Sequence, residues 1–284
     1  MVQFEAKKIA DKLTRIYGMN GEQMYLVEGS KRAVLIDTAS GAGDLKAFVK
    51  TLTDLPVTVL ITHGHGDHAM GAPQFEEVYM SFLDNDQYCE MSGLQWRKRY
   101  LSQSPKSEQL EDADFIPNEA YIPADQAENF HDLKDGDTFE LGGITIEAVA
   151  CPGHSPGSMM FLIRELRTLV TGDACAYFTM LHADSCLGLS TYEKNLEAVN
   201  RRMQGLYDRV LMSHGYLEAS VDLMEQVLEC IREVKASTDD KVPFGYMEIG
   251  GYVAKKFGNN GISAYARLDG KIGNLVYNPE RIWE

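Results

Sequence analysis

Apolar residues near the start of the chain fall into three short runs separated by turn residues. The runs are Ile9 to Tyr17, Gln23 to Glu28 and Ala33 to Ile36, and Gly-containing segments lie between them. Short runs of β-branched and aromatic residues bounded by Gly and Asn are typical of strands. We therefore expect antiparallel strands that open a β-sheet.

Further along the chain, helical and strand-like patterns alternate. Helices are predicted over Gly43 to Thr53, Tyr192 to Leu206 and Leu217 to Ser237, from the spacing of their apolar residues. The predicted strands are Val57 to Thr62, Val78 to Met80, Ile144 to Ala150, Ser158 to Ile163, Thr168 to Thr171 and Arg209 to Met212. Alternating strands and helices predict an α/β protein.

Composition and charge narrow the class of protein. A chain of 284 residues with 44% hydrophobic content can bury a large core, and we expect one domain over 1–284. The net charge of −15 argues against a nucleic-acid partner, because nucleic-acid affinity depends on clustered Lys and Arg. The five cysteines are odd in number and show no C-x-x-C spacing, so a disulfide framework is not expected.

No part of the sequence predicts a membrane segment. The first residues lack the apolar region of a signal peptide, and no later apolar run approaches the length of a membrane span. We therefore expect a soluble protein that is made and kept in the cytoplasm, with no membrane partner.

The segment with the most candidate metal ligands lies directly after the predicted strand Val57 to Thr62. Here His63, His65, Asp67 and His68 fall within six positions, with Gly64 and Gly66 between them. In an extended segment His63 and His65 project to the same side, while the next turn directs Asp67 and His68 elsewhere. Imidazole together with carboxylate favours a hydrolytic zinc site or a non-haem iron site. One loop thus offers ligands for two metals.

Three isolated residues repeat this placement later in the chain. His154, Asp173 and His214 each lie in a Gly-containing loop after a predicted strand. Asp37 also follows a strand, and we weigh two roles for it equally: an acceptor that orients the metal loop, or a helix-cap or turn aspartate. Active sites of α/β sheets gather at the carboxyl ends of strands.

The types and order of these residues resemble the signatures of the metallo-β-lactamase fold superfamily in its dinuclear, glyoxalase II-like form. They are Asp37, the cluster from His63 to His68, His154, Asp173 and His214. The resemblance implies a four-layer αββα sandwich of two mixed β-sheets flanked by helices. It also implies two divalent ions, zinc first with iron or manganese as alternatives. His63, His65 and His154 would bind one ion, Asp67, His68 and His214 the other, Asp173 both, and Asp37 would support the loop.

A dinuclear centre of this kind predicts hydrolysis. Two divalent ions hold a water and lower its pKa towards about 7, so a metal-bound hydroxide attacks a carbonyl carbon or a phosphorus. Asp67 is the predicted catalytic residue, orienting the nucleophile. The leading hypothesis is a hydrolase of a small ester, thioester, lactone or amide. Alternatives are a phosphodiesterase or nuclease, an iron persulfide dioxygenase or flavodiiron-type protein, and a metal-dependent sensor.

Other segments are candidates for substrate contacts. The stretch from about 84 to 136 has weak periodicity and many aromatics, and we expect a lid with helices near Asp86 to Ser102, or a peripheral insertion. Tyr177, Phe178 and His182 follow Asp173 and are candidate pocket residues. The alternative is core packing for Tyr177 and Phe178, and a solvated or core-edge position for His182. The β-rich appendage from about 241 to 284 could form a flap or a homodimer contact.

Overall fold

The computed structural model of the protein describes residues 3–104, 107, 130–246 and 249–284. The chain divides into two units, Met1–Ala148 and Val149–Glu284. The single-domain boundary of 1–284 stays a prediction.

The first unit contains a seven-stranded sheet whose strands follow one another in chain order. The strands are β1 (Glu5–Ala10), β2 (Leu13–Tyr17), β3 (Gln23–Glu28), β4 (Ala33–Ile36), β5 (Val57–Leu60), β6 (Val78–Met80) and β7 (Phe130–Asp132). Pairs from β1 to β4 are antiparallel, as the sequence predicts, and pairs from β4 to β7 are parallel. The central strands β3, β4 and β5 are almost entirely buried, which agrees with their apolar runs.

The single strand predicted from Ile9 to Tyr17 is wrong, because the chain reverses at Asp11 and Lys12 between β1 and β2. Lys12 adopts φ 61°, the left-handed conformation that tight turns use. Glycine usually supplies this conformation, but here a lysine adopts it. The sequence therefore contains no glycine that would mark the turn.

In the described part of the first unit, four short α-helices accompany this sheet: α1 (Leu45–Lys50), α2 (Gly66–Ala69), α3 (Asn85–Ser92) and α4 (Leu94–Leu101). The Asp44 carboxylate accepts a hydrogen bond from the backbone N–H of Ala47 and caps α1. The pair α3 and α4 matches the helices predicted near Asp86 to Ser102. Residues 105–106 and 108–129 of the predicted lid lie outside the described residues.

A hairpin of β8 (Thr138–Glu140) and β9 (Thr145–Ala150) closes the first unit, and the boundary between the units falls within β9. The second unit begins with the last residues of β9 and continues a mixed sheet in the order β13-β11-β10-β9. Its strands are β10 (Met159–Ile163), β11 (Thr168–Gly172) and β13 (Arg209–Met212). β11 pairs antiparallel with β10 and parallel with β13.

Two amphipathic helices cover this second unit, α5 (Leu189–Met203) and α6 (Leu223–Lys235), and bury Leu196, Leu228 and Ile231 in its core. The predicted start of the second helix at Leu217 is wrong. The N–H of Ala219 donates to the carbonyl of Val210 at 3.0 Å in an isolated antiparallel bridge, so the preceding residues are not helical.

The end of the second unit is rich in strands, as predicted for 241–284. A four-stranded sheet has the order β12-β18-β15-β14, and β16 pairs with β17. These strands are β12 (Thr179–Leu181), β14 (Val242–Tyr246), β15 (Ile249–Val253), β16 (Phe257–Gly258), β17 (Ala266–Arg267) and β18 (Leu275–Tyr277).

In the described part of the chain, no helix combines the length and the apolar character needed to cross a membrane.

Candidate functional site

The parallel pair β4 and β5 brings Asp37 to the loop that contains the early histidines. Ile36 and Leu60 are register partners at the carboxyl ends of these strands. The next residues on each strand therefore leave the same edge of the sheet. This placement sets Asp37 beside Thr62 and the histidines that follow.

Asp37 is 2% exposed and its carboxylate is saturated by the loop. One oxygen accepts from the backbone N–H of Thr62 at 2.8 Å, and the other accepts from the Thr62 hydroxyl at 2.9 Å. His68 Nδ1 lies 2.8 Å from this second oxygen. Asp37 thus fixes both the backbone and one histidine of the loop. Its φ of 63° is left-handed, a conformation that Asp and Asn tolerate better than most residues.

The hydrogen bonds of Nδ1 determine the tautomer of two histidines. His68 Nδ1 faces the Asp37 carboxylate, which only accepts, so Nδ1 carries the proton and the lone pair lies on Nε2. The Thr62 hydroxyl donates its one proton to Asp37, so it accepts from His63 Nδ1 at 3.0 Å. His63 therefore also has its lone pair on Nε2. Metal-binding histidines are oriented in this way.

The four candidate metal ligands of this loop lie close together. The His63 ring is 4.5 Å from the His65 ring and 4.1 Å from the His68 ring, measured between centroids. Asp67 lies in the first turn of α2, with a carboxylate oxygen 3.8 Å from His68 Nε2. The first unit thus contains a His and Asp cluster by itself.

Two residues of the helical segment hold this loop from outside, and sequence analysis missed both. The buried Asp84 carboxylate accepts from the Gly64 N–H at 2.9 Å, and a Cβ at Gly64 would stand 2.8 Å from Asp84 Cβ. A Cβ at Gly66 would overlap the indole of Trp96, which stacks on Tyr100. Both glycines are therefore required by close approach.

The second unit contains the other predicted ligands. Gly172 and Met212 pair at the ends of the parallel strands β11 and β13, so Asp173 and His214 leave the same sheet edge. An Asp173 oxygen lies 3.7 Å from His214 Nε2 and 3.9 Å from His154 Nε2. The structure therefore brings these three distant residues of the sequence together.

His154 is positioned by backbone groups. Its Nδ1 donates to the carbonyl of Met180 at 2.7 Å, because a carbonyl only accepts, and this places the lone pair on Nε2. The loop itself is fixed by Asn195 of α5, whose amide donates to the carbonyl of Pro152 at 2.9 Å. Met180 has no sequence signal for this role, since any residue supplies a carbonyl.

The candidate pocket residues lie in the segment after Asp173. Tyr177 packs its ring against Gly215, beside His214, and burial raises the pKa of its phenol. Phe178 is buried among aromatic side chains from the end of the chain. His182 is 5% exposed, and its ring lies 6.0 Å from that of Phe244.

The cysteines of the second unit do not supply a nucleophile. Burial raises the pKa of Cys151 to about 12 and that of Cys175 well above its ordinary value. A thiol in such surroundings stays protonated at neutral pH and is inert. Cys175 is therefore a buried structural residue.

The donor groups fit divalent metal ions. Two atoms bound to one zinc at about 2.1 Å stand roughly 3.4 Å apart in tetrahedral geometry. The Nε2 to carboxylate distances within each unit are 3.7 to 3.9 Å, close to that spacing. The lone pairs of His63, His68 and His154 are already on Nε2, the atom that would bind.

Comparison with known proteins identifies the family. A family model described as the metallo-β-lactamase superfamily matches residues 18–214. The chain belongs to the metallo-β-lactamase superfamily. The match contains every predicted ligand and Asp37, and the predicted membership of this superfamily is confirmed.

Curated relatives in this superfamily include fungal thioesterases. An atrochrysone carboxyl ACP thioesterase of Claviceps purpurea (strain 20.1) is 27% identical over 180 residues, covering 60% of this chain and 47% of that protein. One of Aspergillus fumigatus (strain ATCC MYA-4609 / CBS 101355 / FGSC A1100 / Af293) is 27% identical over 240 residues, covering 78% of this chain and 47% of that protein. The chain spans about half the length of these relatives.

Solved structures share the fold. A metallo-β-lactamase from Pontibacter korlensis has a TM-score of 0.57 at 19% identity, covering 80% of this chain and 98% of that one. The superfamily protein ST1585 from Sulfolobus tokodaii has a TM-score of 0.50 at 16% identity, covering 87% and 91%. The metallo-β-lactamase fold with mixed sheets and helices is confirmed. At the level of the family, the prediction of a metal-binding hydrolase is confirmed as well.

Proposed function

We propose that the chain is a metal-dependent hydrolase that cleaves a thioester, or a similar small ester, lactone or amide. The observation that carries this proposal is the family match over 18–214, which contains all the predicted metal ligands. Thioesters come first among these substrates because the curated relatives are named as thioesterases.

The proposal includes a dinuclear centre of the glyoxalase II type. His63, His65 and His154 would bind one ion, Asp67, His68 and His214 the second, and Asp173 both. Zinc is the first candidate, because imidazole and carboxylate donors with no thiolate suit hydrolytic zinc. When bound, two such ions supply a water of lowered pKa and polarise the carbonyl of the substrate.

Residues of the chain orient the attacking water and the histidine rings. Asp67 accepts a hydrogen bond from the attacking water and directs it towards the carbonyl carbon. Asp37, Thr62 and the carbonyl of Met180 hold the Nδ1 protons of His68, His63 and His154. These bonds keep the ring orientations constant through the reaction and raise the basicity of Nε2.

We also propose a small-molecule substrate and a cytoplasmic location. The net charge of −15 supports the first, because it opposes binding to polyphosphates. The mass of the protein in solution tests whether the β-rich appendage from about 241 to 284 makes a homodimer contact.

Metal analysis and a substrate panel test the function together. We expect about two zinc ions per chain and release of thiol from S-acyl thioesters, detected directly by chromatography. His63→Ala and Asp173→Ala should lose both metal and turnover, whereas the exposed His131→Ala should retain both. One iron with oxygen consumption would instead indicate a dioxygenase, and cleavage of bis-p-nitrophenyl phosphate alone would indicate a phosphodiesterase. A metal-free variant that retains turnover would reject the mechanism.

A further inference from the structure

His182 is a buried polar residue that the proposed chemistry does not use. It is 5% exposed, yet neither ring nitrogen has a hydrogen-bond partner among residues 3–104, 107, 130–246 and 249–284. Leaving a buried donor or acceptor without a partner is unfavourable, so such a group in a folded protein calls for an explanation. A ligand atom that completes the bond is one such explanation.

The position of His182 is built by the backbone around it. It follows β12, two residues after Met180, whose carbonyl holds His154. A Cβ at Gly251 would stand 2.9 Å from His182 Cβ and 2.8 Å from the carbonyl oxygen of Tyr277. Glycine at this position therefore leaves the space in which the imidazole lies.

One aromatic side chain beside this imidazole, Phe244, belongs to a group of four that we call the aromatic cluster: Phe178, Phe244, Phe257 and Tyr265. Their ring centroids are all within 4.8 to 6.2 Å of one another. His182 meets the cluster edge to face at Phe244, with an interplanar angle of 76°. Phe244 is also the register partner of Gly251 in the β14–β15 hairpin.

The cluster is not a closed core. Phe178 is buried, but Phe244 and Phe257 are half-buried and Tyr265 is 36% exposed. Small-molecule sites typically combine partly open apolar and aromatic walls with a few placed polar groups. The segment from Asp173 to His182 connects a predicted metal ligand, Phe178 of the cluster and the imidazole within ten positions of the sequence.

We infer that His182 and the aromatic cluster bind the acyl part of the substrate, and that this acyl part is an aromatic ring with a hydroxyl substituent. The cluster packs against the ring, and the imidazole forms a hydrogen bond with the hydroxyl. The inference names the substrate class of the proposed hydrolase and therefore rests on that function.

The protonation state of the imidazole agrees with this role. Burial lowers the pKa of His182 to about 4, with a smaller contribution from His154. The neutral ring presents one donor and one acceptor, so it can pair with a hydroxyl in either direction.

A binding experiment with the metal-containing protein tests the inference, using benzoate, 3-hydroxybenzoate and 4-hydroxybenzoate in isothermal titration calorimetry. All three share a carboxylate, so differences in Kd report the hydroxyl. We expect the better hydroxybenzoate to bind about 10-fold more tightly than benzoate, as one hydrogen bond to a buried polar group allows.

Substitutions assign this difference to His182. His182→Leu should remove the preference and leave the Kd of benzoate within about twofold, while His182→Gln, which keeps a donor and an acceptor, should retain part of it. His182→Leu should also raise Tm by about 2–4 °C, because a buried polar group without a partner is replaced by an apolar one. His131→Leu, at an exposed histidine, is the matched control.

The outcomes separate this inference from the proposed function. Equal affinity of the wild type for the three acids, no binding of any of them, or an unchanged preference in His182→Leu would overturn the aromatic subsite. If thioesters are still cleaved in that case, the hydrolase proposal stands. If the preference depends on His182 but no thioester, ester or lactone is hydrolysed, the subsite is supported and the proposed function is wrong.

Discussion

At the scale of single residues, the orientation of three candidate metal ligands depends on where their ring protons lie. His68, His63 and His154 each commit Nδ1 to a different acceptor: a carboxylate, a hydroxyl and a backbone carbonyl. Each acceptor selects one tautomer, and a wrong tautomer would present an N–H to the metal. Asp37 is the most consequential acceptor because it also holds Thr62, which in turn orients His63.

Asp37→Asn tests this chain of hydrogen bonds. The amide would present N–H groups to the Thr62 hydroxyl or to His68 Nδ1, and the His68 proton would then move to Nε2. Asn tolerates the left-handed backbone of this position, so the fold should be kept. We expect zinc affinity to fall about 10- to 100-fold, measured by competition with a chromogenic chelator. Asp54→Asn, at an exposed carboxylate, should have no effect.

The cysteines give a second prediction at this scale. Burial raises the pKa of Cys151 to about 12, and those of Cys186 and Cys230 to about 11. Burial also raises the pKa of Cys175 well above its ordinary value. Cys89 alone of the five is half-buried rather than buried. Iodoacetamide at pH 8 should therefore label Cys89 first, as peptide mass spectrometry would show. Fast labelling that persists in Cys89→Ser would contradict this assignment.

Sequence reasoning found the acidic and imidazole groups and missed most of their partners. Asp37 could be predicted because a carboxylate at a strand end is a recognisable signal. Thr62 has a common residue type, and the Met180 carbonyl has no residue signature at all. Asp84 and Trp96 act through the tertiary approach of a helical segment to glycines, which no local pattern encodes.

At the scale of elements, the helices α3 and α4 support the metal loop of the first unit. Asp84 precedes α3 and binds Gly64, while Trp96 of α4 covers Gly66. The loop between β5 and α2 is therefore held by Asp37 as well as by Asp84 and Trp96. A rigid loop presents its ligands without the entropic cost of ordering them.

Gly66→Ala tests the contact with α4. The added Cβ would overlap the indole, so we expect the free energy of unfolding to fall by about 1–3 kcal/mol in urea titrations. Gly250→Ala is the control, because no described atom lies within 4 Å of a Cβ there and its φ is not left-handed. In a Trp96→Ala background the Gly66→Ala effect should largely disappear. Equal losses in both backgrounds would show that the contact is not the cause.

Element boundaries were predicted less well than element types, for identifiable reasons. The turn at Lys12 uses a left-handed lysine instead of glycine, so β1 and β2 read as one strand. The apolar residues from Leu217 onward fit a helix, but the pairing of Ala219 with Val210 delays α6 until Leu223. In both cases a tertiary or turn interaction prevails over a local pattern.

At the scale of the whole molecule, the family match and most of the aromatic cluster occupy different parts of the chain. The match ends at residue 214, at the last predicted ligand, while most of the aromatic cluster follows it. The ligand order could be predicted from sequence because metal chemistry restricts residue types. Aromatic packing restricts residue types little, so the sequence predicted a pocket lined by aromatics of the tail, Phe257 and Tyr265 among them, but did not single out these residues or Phe244.

Metal removal tests the proposal that ligands from both units hold the same ions. If they do, the metals stabilise the whole chain by mass action, about 4 kcal/mol at a thousandfold excess over Kd. We expect EDTA to lower Tm by roughly 8–15 °C in a single calorimetric transition, and zinc to restore it. Asp173→Ala should show a much smaller EDTA effect, whereas His131→Ala should respond like the wild type. A transition that splits, with only one part sensitive to EDTA, would show that the two ligand sets bind metal separately.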